Sequence, residues 1–433
     1  MTARSVKTFA FALRLLYNKE KKRSEGMKFV FSDGEQLGVY KDGAVQKFES
    51  NYIVHYRETA VRSAKTKEWK TQGHAAELME EGYLFGGRGE TSVTAAIHGV
   101  ALTEDENRIV YAFSVNDSSG IYSKLLDDEI RTEAHIVSAN DVEFMSVSYN
   151  SDGEMLAAVQ VDSVTSRIAL FPKGSGDYKC ITGGDSLDEN PSFDRSGSAV
   201  LFNSYGVGRD GNNNFIEYMP SEIYRLNLST LDVEAIASDP KYSYIKPLSD
   251  ADGNVYCIKK PNRERSGGNP LVEVLLIPVR IVQAIAGFIS TFVMCFSGKS
   301  LVSGSAVDSG GGAAKNGKRD AKKVFINNNL LNVDKELKKN KKQEDYGFIP
   351  SSWKLVKLAR GGEAEKELAS GVADFCLVEE NGKKEFVYTN GKHIFSVEEG
   401  QKRKKLTDVD FCLKVGSMGD AKAADERNFF DFI

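Results

Sequence analysis

The sequence predicts an all-β fold, a β-propeller of about seven four-stranded blades, with six blades as the alternative. Two observations lead to this fold class. A strand–turn–strand unit recurs roughly every 45 residues, which is the period expected of propeller blades. The start and the end of the chain also match the repeat in a way that lets them share one blade, so that no sheet edge is left unpaired.

The recurring unit is an apolar strand, a polar turn that ends in Gly or Asn, and a second apolar strand. Its turns end at Asn107, Gly153, Gly197, Gly253 and Gly382. Glycine permits the positive φ that a tight turn needs, and Asp or Asn side chains in the turn bond their own backbone. Two further strands follow where the unit is clearest, as at residues 166–171 and 178–181. Four strands per repeat favour a propeller over a sandwich.

The two ends of the chain complete the repeat. Phe29–Gly34 matches Phe386–Gly391 position for position, so the chain enters at the second strand of a blade. Asp410–Leu413 repeats the sequence of Asp374–Leu377, and we expect it to supply the missing first strand beside Phe29. Residues 51–95 hold the weakest blade, and a helical pattern within them keeps the six-blade alternative open.

The unit at Pro191–Ser204 resembles the TolB-like, WD40-like propeller repeats of the PD40 type. The resemblance is clear over about residues 140–260 and 370–410 and looser elsewhere. It implies a propeller, for which six blades are usual in that family, and it implies little about function. The chain departs from the periplasmic members by a long insertion and by an N-terminus that lacks a convincing signal peptide.

These patterns divide the chain into five parts. Two propeller segments, 27–263 and 350–415, flank an insertion at 264–349 that interrupts one blade between its second and third strands. An extension at 1–26 precedes the ring, and a tail at 416–433 follows it. Residues 5–19 have the spacing of a basic amphipathic helix, which favours docking either on the protein body or on an anionic membrane.

The insertion begins with an apolar segment that we expect to form an amphipathic helix at 279–297. Pro278 suits its first turn, and its polar residues fall within one narrow stripe of the helical wheel. A single membrane crossing would place neighbouring strands of one blade on opposite sides of the bilayer. We therefore expect the helix to lie in a membrane interface, in a partner or on the propeller itself. The predicted docking residues are Val279, Ile281, Val282, Ile285, Phe288, Ile289, Phe292, Val293 and Phe296.

A Gly- and Ser-rich linker at 303–317 and a polybasic segment at 315–342 follow the helix. The polybasic segment is typical of a sequence that binds anionic lipid headgroups, and a solvated tether is the alternative interpretation. Nucleic acid is a weaker candidate partner because the segment has few aromatic residues for base stacking. The residues predicted to bind an anionic surface are Lys315, Lys318, Arg319, Lys322, Lys323, Lys338, Lys339, Lys341 and Lys342.

No motif in the sequence predicts chemistry. There is no P-loop, GxSxG or HExxH sequence, and the five histidines do not occur at metal-ligand spacing. Asp210–Asn214 resembles the start of a calcium loop, but Phe215 stands where that loop requires Gly. The five cysteines are scattered and form no CxxC pair, which favours buried thiols in a reducing compartment. The sequence thus predicts no catalytic residue, metal or cofactor. It predicts a cytoplasmic or intracellular protein, and peripheral membrane association is an open alternative.

The leading hypothesis is a non-enzymatic scaffold that binds protein partners on its propeller faces and docks through the insertion. A hydrolase or lyase with its site in the central channel is the first alternative, because propellers assemble sites from distant loops. Ionisable side chains that converge in the channel would favour the enzyme, and a channel lined by apolar and small residues would exclude it. Nucleic-acid binding through the polybasic segment is the second alternative.

Overall fold

The computed structural model describes residues 27–67, 93, 95–104, 106–116, 118–126, 132–262, 323–341, 344–360, 364–380 and 383–418. These residues form four antiparallel four-stranded sheets, one eight-stranded sheet and one two-stranded hairpin. One parallel bridge divides the eight-stranded sheet into two antiparallel groups of four strands, so we number six blades in chain order. Blade 1 contains β1 (Lys28–Asp33), β2 (Gln36–Lys41) and β3 (Ala44–Glu49). Helix α1 (Asn51–Lys67) follows, and blade 2 contains β4 (Ala95–Leu102), β5 (Arg108–Val115), β6 (Ser118–Leu125) and β7 (Glu133–Ala139).

The next two blades are contiguous. Blade 3 contains β8 (Glu143–Tyr149), β9 (Met155–Gln160), β10 (Ser166–Phe171) and β11 (Lys179–Cys180). Blade 4 contains β12 (Ser186–Phe193), β13 (Ala199–Arg209), β14 (Phe215–Asn227) and β15 (Val233–Ala237). A single parallel bridge between Ser166 and Leu187 joins the two blades. Strands β13 and β14 are the longest in the described part of the chain, so their hairpin extends beyond the neighbouring blades.

Blade 5 is the interrupted one. It starts with β16 (Tyr242–Ser249) and β17 (Val255–Pro261). The hairpin of β18 (Lys323–Ile326) and β19 (Asn329–Asn332) and helix α2 (Val333–Asn340) come next, and the blade then resumes with β20 (Lys354–Lys357) and β21 (Lys366–Ser370). Blade 6 contains β22 (Asp374–Glu380), β23 (Lys383–Thr389), β24 (His393–Val397) and β25 (Lys404–Asp408), and the last strand is β26 (Lys414–Gly416).

The first strands of the six blades contact one another in a cycle. The contacts run from β26 to β4, β8, β12, β16 and β22, and from β22 back to β26. The chain is therefore a β-propeller, with these strands around a central channel. The described residues form six blades, the smaller of the two numbers that the sequence allows. Residues 51–67, within the segment where a weak seventh blade was expected, are helix α1, and residues 68–92 lie outside the described part.

Strand β26 pairs with β1, so the last strand of the chain joins the first three in one sheet. The predicted register is wrong, however. Val415 lies opposite Phe31 and Lys414 opposite Ser32, so the closing strand starts four residues after the predicted Asp410. Asp410 and Phe411 instead donate backbone hydrogen bonds to the Asp33 carboxylate. The repeated DFCL sequence thus secures the β1–β2 turn, and the ring extends past the expected boundary at 415.

The core lies between neighbouring blades because both faces of each middle strand are buried. In β9, Leu156 and Ala158 pack with blade 4, while Ala157 and Val159 pack with blade 2. Successive side chains of a strand point to opposite faces, so a strand covered on both sides needs a continuous apolar run. Gly153, Gly197 and Gly253 have the predicted positive φ, which is 89° for Gly153, and Gly382 lies outside the described residues.

The second half of the insertion is part of the folded body. Residues 323–349, which we call the cap, bury Val324, Ile326, Phe348 and Ile349 against blades 4 to 6. Asn332 caps helix α2 by accepting a hydrogen bond from the backbone of Lys335. Gly391, in the β23–β24 turn, faces the ring of Phe348 at a distance too short for any Cβ. The cap is therefore fitted to the ring.

Antiparallel strands place the insertion and the two ends of the ring on opposite faces. Met418 forms a bridge with Leu102, and Lys28 donates a hydrogen bond to the carbonyl of Glu106 in the β4–β5 turn. The described ring thus begins and ends on the face of the first-to-second-strand turns, which we call the turn face. The insertion leaves after Asn262, on the other face, which we call the cap face.

No helix among the described residues is long and apolar enough to cross a membrane.

Candidate binding site in the central channel

Two β-bulges shape the inner wall of the channel. The pairing of β12 shifts after Glu189 and that of β16 shifts after Ile245. Asn190 and Lys246 stand at these positions with φ of 49° and 51°, and each is followed by a proline. Proline has no N–H to donate to the strand pairing, so it is tolerated at a bulge, where one residue is left unpaired. The bulge also changes the direction of the neighbouring side chains. Both bulges therefore place polar side chains at the channel.

Lys246 connects three blades inside the channel. Its Nζ lies 2.5 Å from Oδ1 of Asp374 in blade 6 and donates to the carbonyl of Val415 in blade 1 at 3.2 Å. The backbone N–H of Lys246 donates to Oδ1 of Asn203 in blade 4 at 3.1 Å. The other carboxylate oxygen of Asp374 accepts from the Val415 N–H at 2.9 Å. These bonds tie the closing strand to blades 5 and 6 across the channel.

Lys414 and Glu189 occupy places on the first strands that correspond to that of Asp374. Asp374 pairs with Thr389, Lys414 with Ser32 and Glu189 with Asn203, each within the equivalent strand pair of its blade. Burial is the largest influence on both, and it lowers the pKa of Lys414 and raises that of Glu189. The Lys414 ammonium makes no salt bridge or hydrogen bond with the described residues, although it senses the charges of Asp374, Lys246 and Glu189.

Lys260 closes the cluster on the cap side. Its side chain is 4% exposed, and its Nζ donates to the carbonyl of Asn327 at the tip of the cap hairpin. The rings of Tyr205 and Trp353 lie 5.6 and 5.5 Å from the same nitrogen. Burial lowers the pKa of Lys260 to about 7, and the nearby Glu189 only partly opposes this. A lysine in this state exchanges its proton near neutral pH.

Two extended hairpins cover the cap end of the channel. Asn327 donates from Nδ2 to the carbonyl of Ala373 at 3.2 Å, which fixes the β18–β19 tip over the start of blade 6. Tyr218, on the long β13–β14 hairpin, donates from Oη to the carbonyl of Val164 in blade 3 at 2.9 Å. Burial, followed by the charge of Glu189, raises the pKa of Tyr218. The two hairpins thus cover the charged cluster on the cap face.

A second polar group, between blades 2 and 3, is built differently. Nε2 of His98 lies 2.8 Å from Ser114 Oγ and 3.0 Å from Glu143 Oε1. Burial opposes ionisation of Glu143, but hydrogen bonds from His98 and Ser114 and the charge of His98 outweigh it and lower its pKa. One imidazole nitrogen faces both partners, whereas a catalytic triad needs the hydroxyl and the acid on different nitrogens. The group borders a shallow polar pocket of about 280 Å³ and has no triad geometry.

The predicted site residues fall into two groups. The nine docking residues from Val279 to Phe296 lie outside the described residues, as do Lys315, Lys318, Arg319, Lys322 and Lys342. Lys323 begins β18, and Lys338, Lys339 and Lys341 are exposed at the end of the cap, on or just after α2. The part of the polybasic segment from 323 onward is thus attached to the ring and presents its lysines on the cap face.

The channel cluster was missed from the sequence. Its members come from blades 1, 4, 5 and 6, and residues such as Glu189 and Lys414 are more than 200 positions apart in the chain. A usable signal was present, since Asn190–Pro191 and Lys246–Pro247 occupy the same place in two first strands. A proline there predicts a bulge at the channel, and with it a polar neighbour aimed inward.

No family model matches the chain, and none of the curated proteins matches it. Solved structures do resemble it in fold. The structure of TolB from Acinetobacter baumannii is 12% identical with a TM-score of 0.40, and the match covers 89% of this chain and 66% of that one. The tricorn protease is 12% identical with a TM-score of 0.40, over 90% of this chain and 30% of that one. The chain thus spans just under two thirds of the TolB structure and under a third of the tricorn protease.

A further resemblance is to the β-propeller domain of the Trilobed protease from Pyrococcus furiosus, whose topology is described as open velcro. It is 11% identical with a TM-score of 0.34, over 89% of this chain and 97% of that one. Other similar structures include a lyase and several peptidases. At these identities the likeness is one of fold alone.

Proposed function

We propose that this protein is a β-propeller scaffold that binds protein partners on its faces and docks on an anionic membrane, or on an apolar partner, through its insertion. The observation that supports the proposal most is how blade 5 accommodates the insertion. Strands β17 and β20 pair in unbroken register from Tyr256 opposite Lys357 to Lys259 opposite Lys354, although residues 262 to 353 separate them. The blade therefore accommodates the insertion without loss of its own strand pairing.

The charges of the cap support the same proposal. Lys338 and Lys339 on α2 and Lys341 just after it are exposed, and the Lys339 side chain is 63% exposed despite a loose contact with Glu336. They follow the basic residues at 315–322 in sequence. Each basic residue near an anionic surface contributes on the order of 1 kcal/mol, so several together bring an adjacent apolar helix to such a surface.

The test is a deletion that leaves the cap intact. Removing residues 264–322 and joining the flanks with a short Gly/Ser linker leaves Val324, Phe348 and Ile349 in the core. We expect wild type to sediment with vesicles that contain phosphatidylserine and the deletion variant to remain in the supernatant, with both equally stable. A charge variant, Lys338→Gln/Lys339→Gln/Lys341→Gln, should bind with intermediate strength. If wild type and deletion behave alike on vesicles and in partner capture, docking through the insertion is wrong.

A specific observation favours a second candidate, a hydrolase or lyase with its site in the channel. Ionisable side chains converge there, and Lys260, with a pKa of about 7, lies beside Glu189, whose pKa is raised. Such a pair suits proton transfer near neutral pH. Wild type and Glu189→Gln compared across ester, peptide and uronide substrates would test it. If wild type turns over one of these substrates and Glu189→Gln does not, the enzyme hypothesis would replace the scaffold hypothesis.

Nucleic-acid binding through the polybasic segment remains the third candidate. It predicts affinity for DNA or RNA that falls steeply with added salt and disappears in the 264–322 deletion.

A further inference from the structure

Two buried polar groups at the cap end of the channel make no hydrogen bond of good geometry with the described residues. Tyr205 is 2% exposed, and its Oη makes no hydrogen bond of good geometry. Nδ2 of Asn328, at the tip of the cap hairpin, is buried and unpaired in the same way. The Tyr205 hydroxyl has only poorly aligned contacts, with the side chains of Asn328 and Ser221. A buried polar group without a partner costs about 1–3 kcal/mol, so two side by side indicate a function.

The charges around these donors favour an anion. The ammonium of Lys260 lies over the Tyr205 ring, and the charges of Lys260 and Lys414 both act on Glu189. With Lys246 and Asp374, the cluster holds three lysines and two carboxylates. Lys246 and Asp374 neutralise each other, but Lys414 has no direct partner among the described residues. The cluster therefore carries a net positive formal charge, and its member Lys260 lies beside Tyr205.

We propose that Tyr205, Asn328, Lys260 and Lys414 bind a carboxylate group of a ligand at the cap end of the channel. A carboxylate offers about four acceptor sites on two oxygens, which matches two neutral donors and two ammonium groups. A cation would meet two lysines and find only Glu189 to bind. The carboxylate belongs either to a small organic acid or to an acidic segment of a protein partner, and both share this chemistry. The site does not depend on the docking function of residues 264–322.

Tyr205→Phe in the full-length protein is the most direct test. The substitution removes an oxygen that bonds nothing within the described structure, so stability should be unchanged or slightly higher. Binding of succinate, and of an acidic tripeptide, is measured by calorimetry at low salt. We expect both affinities to fall about tenfold to hundredfold, the value of one hydrogen bond to a charged group. The tighter of the two probes in wild type identifies the source of the carboxylate.

Two matched pairs of variants separate the site from general effects. Asn328 has a φ of 57° and Asn213, in an exposed turn, has a φ of 66°. Asn328→Gly should weaken binding and Asn213→Gly should not, since glycine keeps either backbone. Lys414→Met should weaken binding at least tenfold, whereas Lys338→Met on the exposed face of α2 should leave it unchanged.

Three results would overturn the proposal. They are no binding of either probe by wild type at millimolar concentration, binding that Tyr205→Phe and Lys414→Met both leave intact, and equal losses in Lys414→Met and Lys338→Met. Binding of inorganic phosphate without binding of either carboxylate would also overturn it, because the ligand class would then be different.

Discussion

Replacing Lys260 by methionine should make the protein more stable and flatten the dependence of its stability on pH. The ammonium of Lys260 is desolvated in the folded state and fully hydrated in the unfolded state. The fall of its pKa from 10.5 to about 7 corresponds to about 5 kcal/mol, at about 1.4 kcal/mol for each pH unit. The contacts with Tyr205 and Trp353 favour the charged form by about 0.5–2 kcal/mol each, so we expect a net cost of about 1–4 kcal/mol.

The sign follows from proton counting. Between pH 7 and 10.5 the unfolded chain binds a proton at Lys260 that the folded protein lacks, so wild-type stability rises with pH across this window. Below pH 7 both states are protonated and the full cost is present. Lys260→Met removes the group, so its advantage should be largest near pH 6 and should fade as the pH approaches 10. Methionine fills a similar volume between the two rings.

The assay is denaturant unfolding of wild type and Lys260→Met at pH 6, 8 and 9.5. The difference between the two proteins reports Lys260 together with its coupling to Glu189, whose pKa the Lys260 charge lowers. We expect Lys260→Met to be more stable than wild type by about 1–4 kcal/mol at pH 6 and by no more than about 1 kcal/mol at pH 9.5. A variant that is less stable at pH 6 would refute the reasoning, since it would mean that Glu189 and the two rings more than compensate the desolvation of the charged Lys260.

Three further outcomes follow from the described contacts. Asp374→Asn leaves Lys246 without its carboxylate and should cost about 3–5 kcal/mol of unfolding free energy, and adding Lys246→Met should recover most of it. Gly391→Ala should destabilise by more than about 2 kcal/mol, because a Cβ would collide with the cap, whereas Gly34→Ala, also at positive φ but in open space, should cost only about 1 kcal/mol by thermal melting. Ending the chain after residue 413 removes β26 and should turn one cooperative transition into a broad one in calorimetry.

The fold was predictable because propeller blades are local. The turn at Gly197 and the strands around it lie within one stretch of sequence, and the apolar runs of β9 and β13 reflect burial on both faces. The register of the closing strand was not predictable from the repeat alone. Asp410–Leu413 copies Asp374–Leu377 in sequence, yet hydrogen bonds to Asp33 decide its place, and those depend on a turn at the other end of the chain.

The channel site was not predictable for a related reason. Spacing rules find residues that one helix or one loop brings together, whereas Lys414, Asp374 and Glu189 meet only when a ring closes. The interpretation of the polybasic segment met a similar limit. Its charge pattern predicted a solvated or lipid-bound stretch, but Val324, Ile326 and Val333 within it are buried in a core shared with blades 4 to 6. The composition of a segment averages over all its residues, whereas three buried apolar side chains are enough to attach the segment to the ring.

The separation of the ring's two faces has a consequence for how the molecule connects others. Residues 27 and 418 lie at the turn face, and residues 262 and 323 lie at the cap face. The strands between the faces have about six to eight residues, so the ring holds the two sides about 20–25 Å apart. A body tethered next to residue 27 or 418 is therefore kept away from whatever the cap face touches. A group attached on the turn face and a group bound on the cap face are therefore connected only through the ring.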